Sequence, residues 1–585
     1  MKLSPISLAL TPLLAVFTAN AAVYQVVELE VNNKIQSSYA SALNDQGQAV
    51  YVGTPILSFP LELDQFDLDS DIIKSILTAE QIAAVEAGNI DGTIQGILIN
   101  YLRQTAGDFS QPVGEVLSFI EQDNSPAQRM VLRDPFANNS SANEFIYAIN
   151  NQGMAVGIAD APFSKQLFTP AATEAVPEPV EATYWVPEPM YRMALAWHDG
   201  DVIPLLPPFT SLNGGYSVAS AINNHGLVAG FGSTGISQTT AENILNLCKG
   251  ETRPAVSCLN QQARSTAFEQ RGLLWQIDSE QQVSVPQVLG ILGNKNTGEI
   301  YSAPDTELFN QPCPNSSAAC ITYRSAATAV NDNNIAVGFT TYTDSDRSIC
   351  VQFDFTGRCA QEGIFRAQHA VIFTEQGPRP LVNQQEWLNS NAVAINNQNL
   401  VVGFAGKSIN GSVRNKMFLY DHASQQSRHI TGFFTSSNTV PRSINDQGQV
   451  VGSAEVIIGG TITRRNHAFL YDNVTDTFSD LNKLIGCNLP FNLVDASAIN
   501  SQGEILATAL IRRPLLDALG NPAVNADGVV VQQEQATVVK LKPIANGQPA
   551  NCDNEQESYT KQGAGLPLLW LAVLGGLVAL RRRWF

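Results

Sequence analysis

One ten-residue phrase returns along this chain and fixes the same turn each time: "AINNQGMAVG" from Ala148, "AINNHGLVAG" from Ala221, "AINNQNLVVG" from Ala394, "SINDQGQVVG" from Ser443. Seven copies start at Ala42, Ala148, Ala221, Ala329, Ala394, Ser443 and Ala498. Their third position is always asparagine: Asn44, Asn150, Asn223, Asn331, Asn396, Asn445 and Asn500. Their sixth is Gly47, Gly153, Gly226, Asn334, Asn399, Gly448 or Gly503, and glycine and asparagine are the residues that most readily take a left-handed backbone. A type I turn closed by a left-handed residue and flanked by apolar strands is a β-hairpin, and the asparagine side chain braces such a turn by bonding to backbone two residues on. Turn bracing accounts for the seven asparagines without a ligand.

Each hairpin has a second half. An aromatic and aliphatic strand, a polar turn and another strand occur upstream of a copy, as in "HAFLYDNVTDTFSDL" from His467, "KMFLYDHASQQSRHI" from Lys416 and "HAVIFTEQGPRPL" from His369. A unit is therefore four short strands. Successive copies lie 106, 73, 108, 65, 49 and 55 residues apart, and the bare spacing near 50 residues is that of one propeller blade. The prediction is an all-β chain, a β-propeller of seven four-stranded blades over residues 22–550, with helical and disulfide-pinned loop insertions. "VYQVVELEVNNKI" at the start and "QATVVKLKPI" near the end read as two parts of one shared blade that closes the ring.

The longer gaps hold insertions. A helical one is expected at about 71–122, from the periodicity of "LTAEQIAAVEAG" and "GTIQGILINYLRQ", and "TTAENILNLCKG" opens with a capping box from Thr239 to Glu242. Residues at about 169–190 read as a proline and glutamate-rich loop. Tyr184 and Trp185 in that loop are expected to pack it onto the propeller in preference to stacking on a ligand.

Both ends of the chain read as addresses. "MKLSPISLALTPLLAVFTANAA" has a lysine, a short apolar run and the small-residue pattern Ala19-Asn20-Ala21, so residues 1–21 form a signal peptide that signal peptidase cuts between Ala21 and Ala22. After a linker at 551–562, residues 563–585 form a tail without charge from Gly563 to Leu580, 18 residues or about 27 Å of helix, enough to cross a membrane. Arg581, Arg582 and Arg583 follow it and stay cytoplasmic by the positive-inside rule, which places the body of the chain on the far side. This tail resembles the GlyGly-CTERM sorting signal of Gram-negative bacteria, with Gly563, Ala564 and Gly565 where the family has a glycine pair. The resemblance implies cleavage by a rhombosortase-type intramembrane protease and passage to the cell surface or outer membrane. Plain anchoring in the inner membrane, facing the periplasm, is the alternative.

The repeat itself, with "HAFLYD" after it, resembles the HAF-type extracellular repeat, and length, tail and repeat number resemble an uncharacterised bacterial family of unknown function. What this implies is export and repeat architecture, with no activity attached. The His-Ala-Phe triplet is intact only at His467, Ala468 and Phe469.

Cysteine usage fits an oxidising compartment. Cys248 and Cys258, Cys313 and Cys320, Cys350 and Cys359 fall in close local pairs, leaving Cys487 and Cys552, and four disulfides are the simplest reading although connectivity stays open. No C-x-x-C and no histidine pair at ligand spacing points to metal. The acid run with Asp64, Asp67, Asp69 and Asp71 lacks the glycine and final glutamate of a calcium loop and reads as solvated. "GFGSTG" from Gly230 matches a dinucleotide fingerprint in letters only, since Gly230 is the tenth hairpin position. No cofactor is expected.

At -19 formal charge the surface repels phosphate backbones, so nucleic acid is excluded as a partner. His369 and His467 begin equivalent strands and read as strand residues before an acid-base pair. Two function classes stay open. One is a binding module that displays loops to an unknown protein or glycan ligand. The other is an exported hydrolase or lyase acting on an extracellular polymer, for which two or more carboxylates with an arginine or histidine should converge on the channel.

Overall fold

The computed structural model describes residues 22–549, except 30–34, 123–124, 134–142, 266–267, 295–322, 458–462 and the single positions 106, 173, 175, 214, 237, 355, 357, 410 and 526. Ala21, the linker, the tail residues Gly563, Ala564, Gly565, Arg581, Arg582 and Arg583, and Cys313, Cys320 and Cys552 lie outside the described residues. Among the described residues no helix is long and apolar enough to cross a membrane.

The chain forms a seven-bladed β-propeller. Each blade is an antiparallel sheet whose four main strands are here called a to d, from the axis outward. Strand a precedes the repeated turn and strand b follows it: Ile35–Leu43 and Ala49–Ile56 in blade 1, Glu144–Ile149 and Ala155–Asp160 in blade 2, Ser217–Ile222 and Leu227–Gly235 in blade 3. The same pairs are Ser325–Val330 and Ala336–Phe353 in blade 4, Asn389–Ile395 and Leu400–Ile409 in blade 5, Thr439–Ile444 and Gln449–Ile457 in blade 6, Asn492–Ile499 and Ile505–Pro514 in blade 7. Blade 4 carries one extra strand, Gly293–Asn294, parallel to its strand b.

The turn residue takes the left-handed conformation in every copy, at φ 80° for Gly47, 59° for Asn334 and 63° for Asn399. Strand b then reads as a continuous apolar run because both its faces are buried between blades. Val401 packs towards blade 4 and Val402 towards blade 6; Tyr51 packs towards blade 7 and Val50 towards blade 2. Each such side chain contributes roughly 1.5–3 kcal/mol by leaving water, so the core is a set of interfaces between blades. A feature the sequence pattern did not announce is a β-bulge in all seven strands a, directly before the repeat, as between Ile146 and Ala148 or Ala392 and Ala394. The tenth repeat position lies against it: a Cβ at Gly157 or Gly230 would overlap the carbonyl oxygen of Phe145 or Val218. Gly230 thus serves a strand crossing, and "GFGSTG" is part of strand b of blade 3.

Ring closure uses both ends of the described chain. Tyr24–Glu28 is the outer strand of blade 7 and pairs antiparallel with Gln532–Pro543, its strand c, from Tyr24 opposite Pro543 to Glu28 opposite Val539. Lys540 in that strand reaches Glu121 of blade 1 at 2.7 Å and the Gly47 carbonyl at 2.7 Å.

The alternation of strand directions puts the a–b and c–d turns on one face of the ring and the b–c and d–a connections on the other. The large insertions among the described residues leave from b–c connections. Blade 1 carries helices α1 (Asp71–Ile76), α2 (Ala79–Glu86) and α3 (Gly92–Gln104), which form their own small core around Leu98 and Ile73. The helical stretch is shorter than its expected range, because the chain re-enters the blade as strand c at Leu117–Glu121. Blade 2 carries a hairpin, Phe163–Phe168 with Ala182–Pro187, so part of the proline and glutamate-rich loop is strand. Blade 3 carries α4 (Gln238–Leu247) and α5 (Ala255–Ser265), joined by the Cys248–Cys258 disulfide. Because α4 begins at Gln238, Thr239 lies inside the helix and does not cap it. In blade 4 strands b and c lengthen into a ribbon closed by Cys350–Cys359. Cys487 is also disulfide-bonded.

Candidate functional site

Two places gather polar side chains from several blades. The first is the mouth of the axis on the turn face. Each repeat asparagine braces its own turn, its Oδ1 accepting from the backbone N–H four residues on in all seven copies, as from Gln48 to Asn44 at 2.9 Å. Its Nδ2 donates to the carbonyl of the equivalent asparagine in the next blade: Asn44 to Asn150 at 2.9 Å, Asn150 to Asn223 at 3.1 Å, Asn223 to Asn331 at 2.9 Å, Asn331 to Asn396 at 2.9 Å. Asn396 to Asn445 at 3.0 Å, Asn445 to Asn500 at 3.1 Å and Asn500 back to Asn44 at 3.2 Å complete a closed ring. Local turn chemistry predicted the brace; the ring needs the assembled propeller.

A second, incomplete circle lies beside it at the fourth repeat position. Side chains of Asn151, Asn224, Asp332, Asn397, Asp446 and Asp45 each accept from a backbone N–H of the neighbouring copy, between 2.8 and 2.9 Å. Ser501, the seventh member, is too short to continue it. Burial pushes the Asp45 carboxyl up, but hydrogen bonds from Ser501 and Asn151 outweigh that and hold it below the usual carboxylate range. Beneath both circles the second repeat positions, including Leu43, Ile149, Val330 and Ile499, form a buried aliphatic collar. This mouth therefore carries the carboxylates of Asp45, Asp332 and Asp446 engaged by amides, with neither arginine nor histidine beside them.

Deeper along the axis, the residues of strand a that remain exposed face the channel, since the sheet faces are covered by neighbouring blades. Arg442 of blade 6 pairs there with Asp495 of blade 7 at 3.2 Å. At that depth this pair stands apart from Asp45, Asp332 and Asp446, which are at the mouth. The two histidines are apart. His369 is fully buried in blade 4, with neither ring nitrogen hydrogen-bonded and Tyr342 edge-on at 5.6 Å. Burial, with Arg347 adding to it, pushes its pKa down to about 4. His467 Nδ1 lies 2.8 Å from Asp480 Oδ2 in blade 6. Of the acid run, Asp69 is exposed and paired with Lys74 at 3.1 Å.

The second place is a cleft of about 530 Å³ on the insertion face, walled by the blade 1 insertion, the blade 2 hairpin and α5 of blade 3. The insertions touch: Trp185 N–H donates to the Asp108 carbonyl at 2.6 Å, and Ala171 N–H to the Glu251 carbonyl at 2.6 Å. Charges of both signs line it. Arg103 pairs with Glu115 at 2.8 Å, Arg253 with Asp108 at 3.5 Å, and Asp160 with Arg192 at 3.0 Å. Tyr184 and Trp185 are buried beneath it, as expected of packing residues, Tyr184 under Phe109 at 4.4 Å and Trp185 with the Lys165 ammonium 5.4 Å from its ring. Sequence reasoning flagged none of the charged residues of this cleft, because its walls come from insertions distant in the chain. The one local signal is on α5, where Ser257, Asn260, Gln261 and Arg264 recur at helical spacing.

With this geometry in hand, comparison with known proteins adds a family and little else. A family profile described as "Protein of unknown function (DUF3466)" matches residues 1–583. No curated protein matches. Among solved structures, fructan 1-exohydrolase IIa from Cichorium intybus is similar at 10% identity and a TM-score of 0.17, covering 48% of this chain and 51% of that one. The tricorn protease is similar at 9% identity and a TM-score of 0.21, covering 72% of this chain and 42% of that one. The chain thus spans about half or less of the length of these two structures.

Proposed function

The chain belongs to this family of unknown function, and from that premise we propose that it is an exported binding module which engages its ligand, a protein or a glycan, through the insertion face of the propeller. The observation that carries this reading is the asymmetry between the two faces. On the turn face nearly every polar group at the axis is engaged by the asparagine circles. On the insertion face at least three blades extend extra chain, two disulfides pin it, and a polar cleft opens between the pieces. Scaffolded loops around a concave site are where binding proteins carry specificity.

The reading includes the route. Signal peptidase removes residues 1–21, and the tail either holds the protein at the inner membrane or is cut by a rhombosortase-type protease and releases it to the surface, as a HAF-type repeat protein with a GlyGly-CTERM-like tail. Intact mass of the native protein from fractionated cells, with and without reductant, tests this. A chain that starts at Ala22 and ends near Gly565 supports sorting; one that ends at Phe585 in the inner membrane supports anchoring. A chain that starts at Met1 in the cytoplasm overturns export. For binding, immobilised protein is exposed to envelope extracts and glycan arrays beside a variant in which α4 and α5 are replaced by a short turn. Equal capture by both would count against the insertion face.

A further inference from the structure

Helix α5 turns two sides inward: Cys258 and Leu259 pack with Ile244 of α4 and Cys248, while Ser257, Asn260, Gln261 and Arg264 form a polar stripe that lines the cleft. Ser257 and Asn260 are each 3% exposed. The Ser257 hydroxyl has no hydrogen-bond partner although it is buried, and native structures leave few such groups without a reason. Asn260 Oδ1 accepts from Arg264 Nε at 3.2 Å, which fixes the guanidinium plane and leaves its two terminal nitrogens without a carboxylate among the described residues.

Within the lining Arg103 pairs with Glu115 and Arg253 with Asp108, while Asp160 is paired by Arg192 from outside it, so Arg264 is the lining cation without a carboxylate partner among the described residues. A guanidinium fork held in place by an amide is suited to a planar, two-oxygen anion. Phe109, in sequence between the cleft-lining residues Asp108 and Ser110 but not itself in the lining, is 61% exposed and its ring rests on Tyr184. The lining thus offers planar polar groups that both donate and accept and one unpaired cation, with an exposed aromatic ring next to lining residues in the chain. A sugar ring matches this set, with hydroxyls around its edge and C–H groups on its faces.

We propose that this cleft binds an acidic saccharide segment, its carboxylate on Arg264, its hydroxyls on Asn260, Ser257 and the neighbouring amides, and one sugar face against Phe109. The proposal rests on the reading of the insertion face as the binding surface and names the ligand class for it.

The test is calorimetric titration of the purified, oxidised chain with short oligomers of galacturonic, glucuronic and mannuronic acid. Neutral galactose and mannose oligomers of equal length and an oligoglutamate peptide serve as contrasts. At least one uronate series is expected to bind, more weakly as salt is raised. Arg264→Gln should weaken it about tenfold or more, the usual effect of removing one charge-assisted hydrogen-bonding group, with the melting temperature unchanged because the residue is exposed. Ser257→Ala should weaken binding without lowering the melting temperature, since the hydroxyl has no partner to lose. The proposal is overturned if no uronate binds at millimolar concentration, if neutral oligomers or the peptide bind as well as the uronates, or if Arg264→Gln binds like the parent. Should the insertion face still capture a ligand from extracts while every uronate fails, the binding-module reading stands and this one falls. If neither is seen, both fall.

Discussion

The Nδ2 of Asn500 donates to the carbonyl of Asn44 at 3.2 Å, across a sequence separation of 456 residues. This bond joins the last repeat to the first and turns six serial links into a circle. Each asparagine in that circle holds a turn with one end of its amide and the next blade with the other.

Separating the two roles is straightforward by substitution. Asn223→Asp keeps the oxygen that accepts from His225 and Leu227 but loses the donor to Asn331; Asn223→Ala loses both. Each lost buried hydrogen bond should cost about 1–3 kcal/mol. Both variants should therefore unfold at lower denaturant concentration, the alanine at the lowest. Equal midpoints for Asn223→Ala and the parent would mean that the circle contributes nothing.

Closure between blades 7 and 1 also uses the buried pair of Lys540 and Glu121, whose side chains are 3% and 2% exposed. Removing one partner leaves a charge in the interior, which costs roughly 3–5 kcal/mol, whereas replacing both with apolar residues is far milder. Glu121→Leu and Lys540→Met should each destabilise more than the two substitutions combined. Additive losses in this double-mutant cycle would rule out the coupling.

The neutral, buried His369 makes stability depend on pH. Its folded pKa, about 4, lies below the unfolded value near 6.5, so the unfolded chain binds the extra proton first. Stability is therefore whole above pH 6.5 and falls as pH drops towards 4, by about 3 kcal/mol from this group. Unfolding midpoints between pH 7 and 4 should fall less steeply in His369→Gln. Parallel profiles for the two proteins would show that His369 does not carry the effect.

Reducing Cys248–Cys258, which closes a separation of 10 residues, should cost about 3 kcal/mol in the chain-entropy view. The loss should stay local, because α4 and α5 pack outside the blades. Limited proteolysis should find new cuts between residues 238 and 265 while the main unfolding transition is preserved. Global collapse on Cys248→Ser with Cys258→Ser would place the insertion inside the cooperative unit.

How much of this was legible in the sequence depends on the distance over which each feature is encoded. The turns were, since Asn150 and Gly153 sit in one loop and the geometry they satisfy is their own. Blade number followed from counting those turns, and the shared blade from strand-like ends. The bulge before Ala148 was not legible, because it shows only when Gly157 crosses Phe145 in the folded sheet. The fourth-position circle was missed for a related reason: Asp45, Asn151 and Ser501 look like ordinary turn residues until the ring aligns them. The cleft was hardest, since Arg103, Asp160 and Arg264 come from three blades and share no local pattern.

Tyr24 and Pro543 are register partners at the same end of an antiparallel pair, and Ile544 N–H still donates to the Val23 carbonyl at 2.8 Å as the chain leaves. A pull between the two ends therefore peels these strands apart one bond at a time instead of shearing five residue pairs together. The propeller closes like a zip whose tab and tape are the two ends of its described chain, and it opens from that corner first.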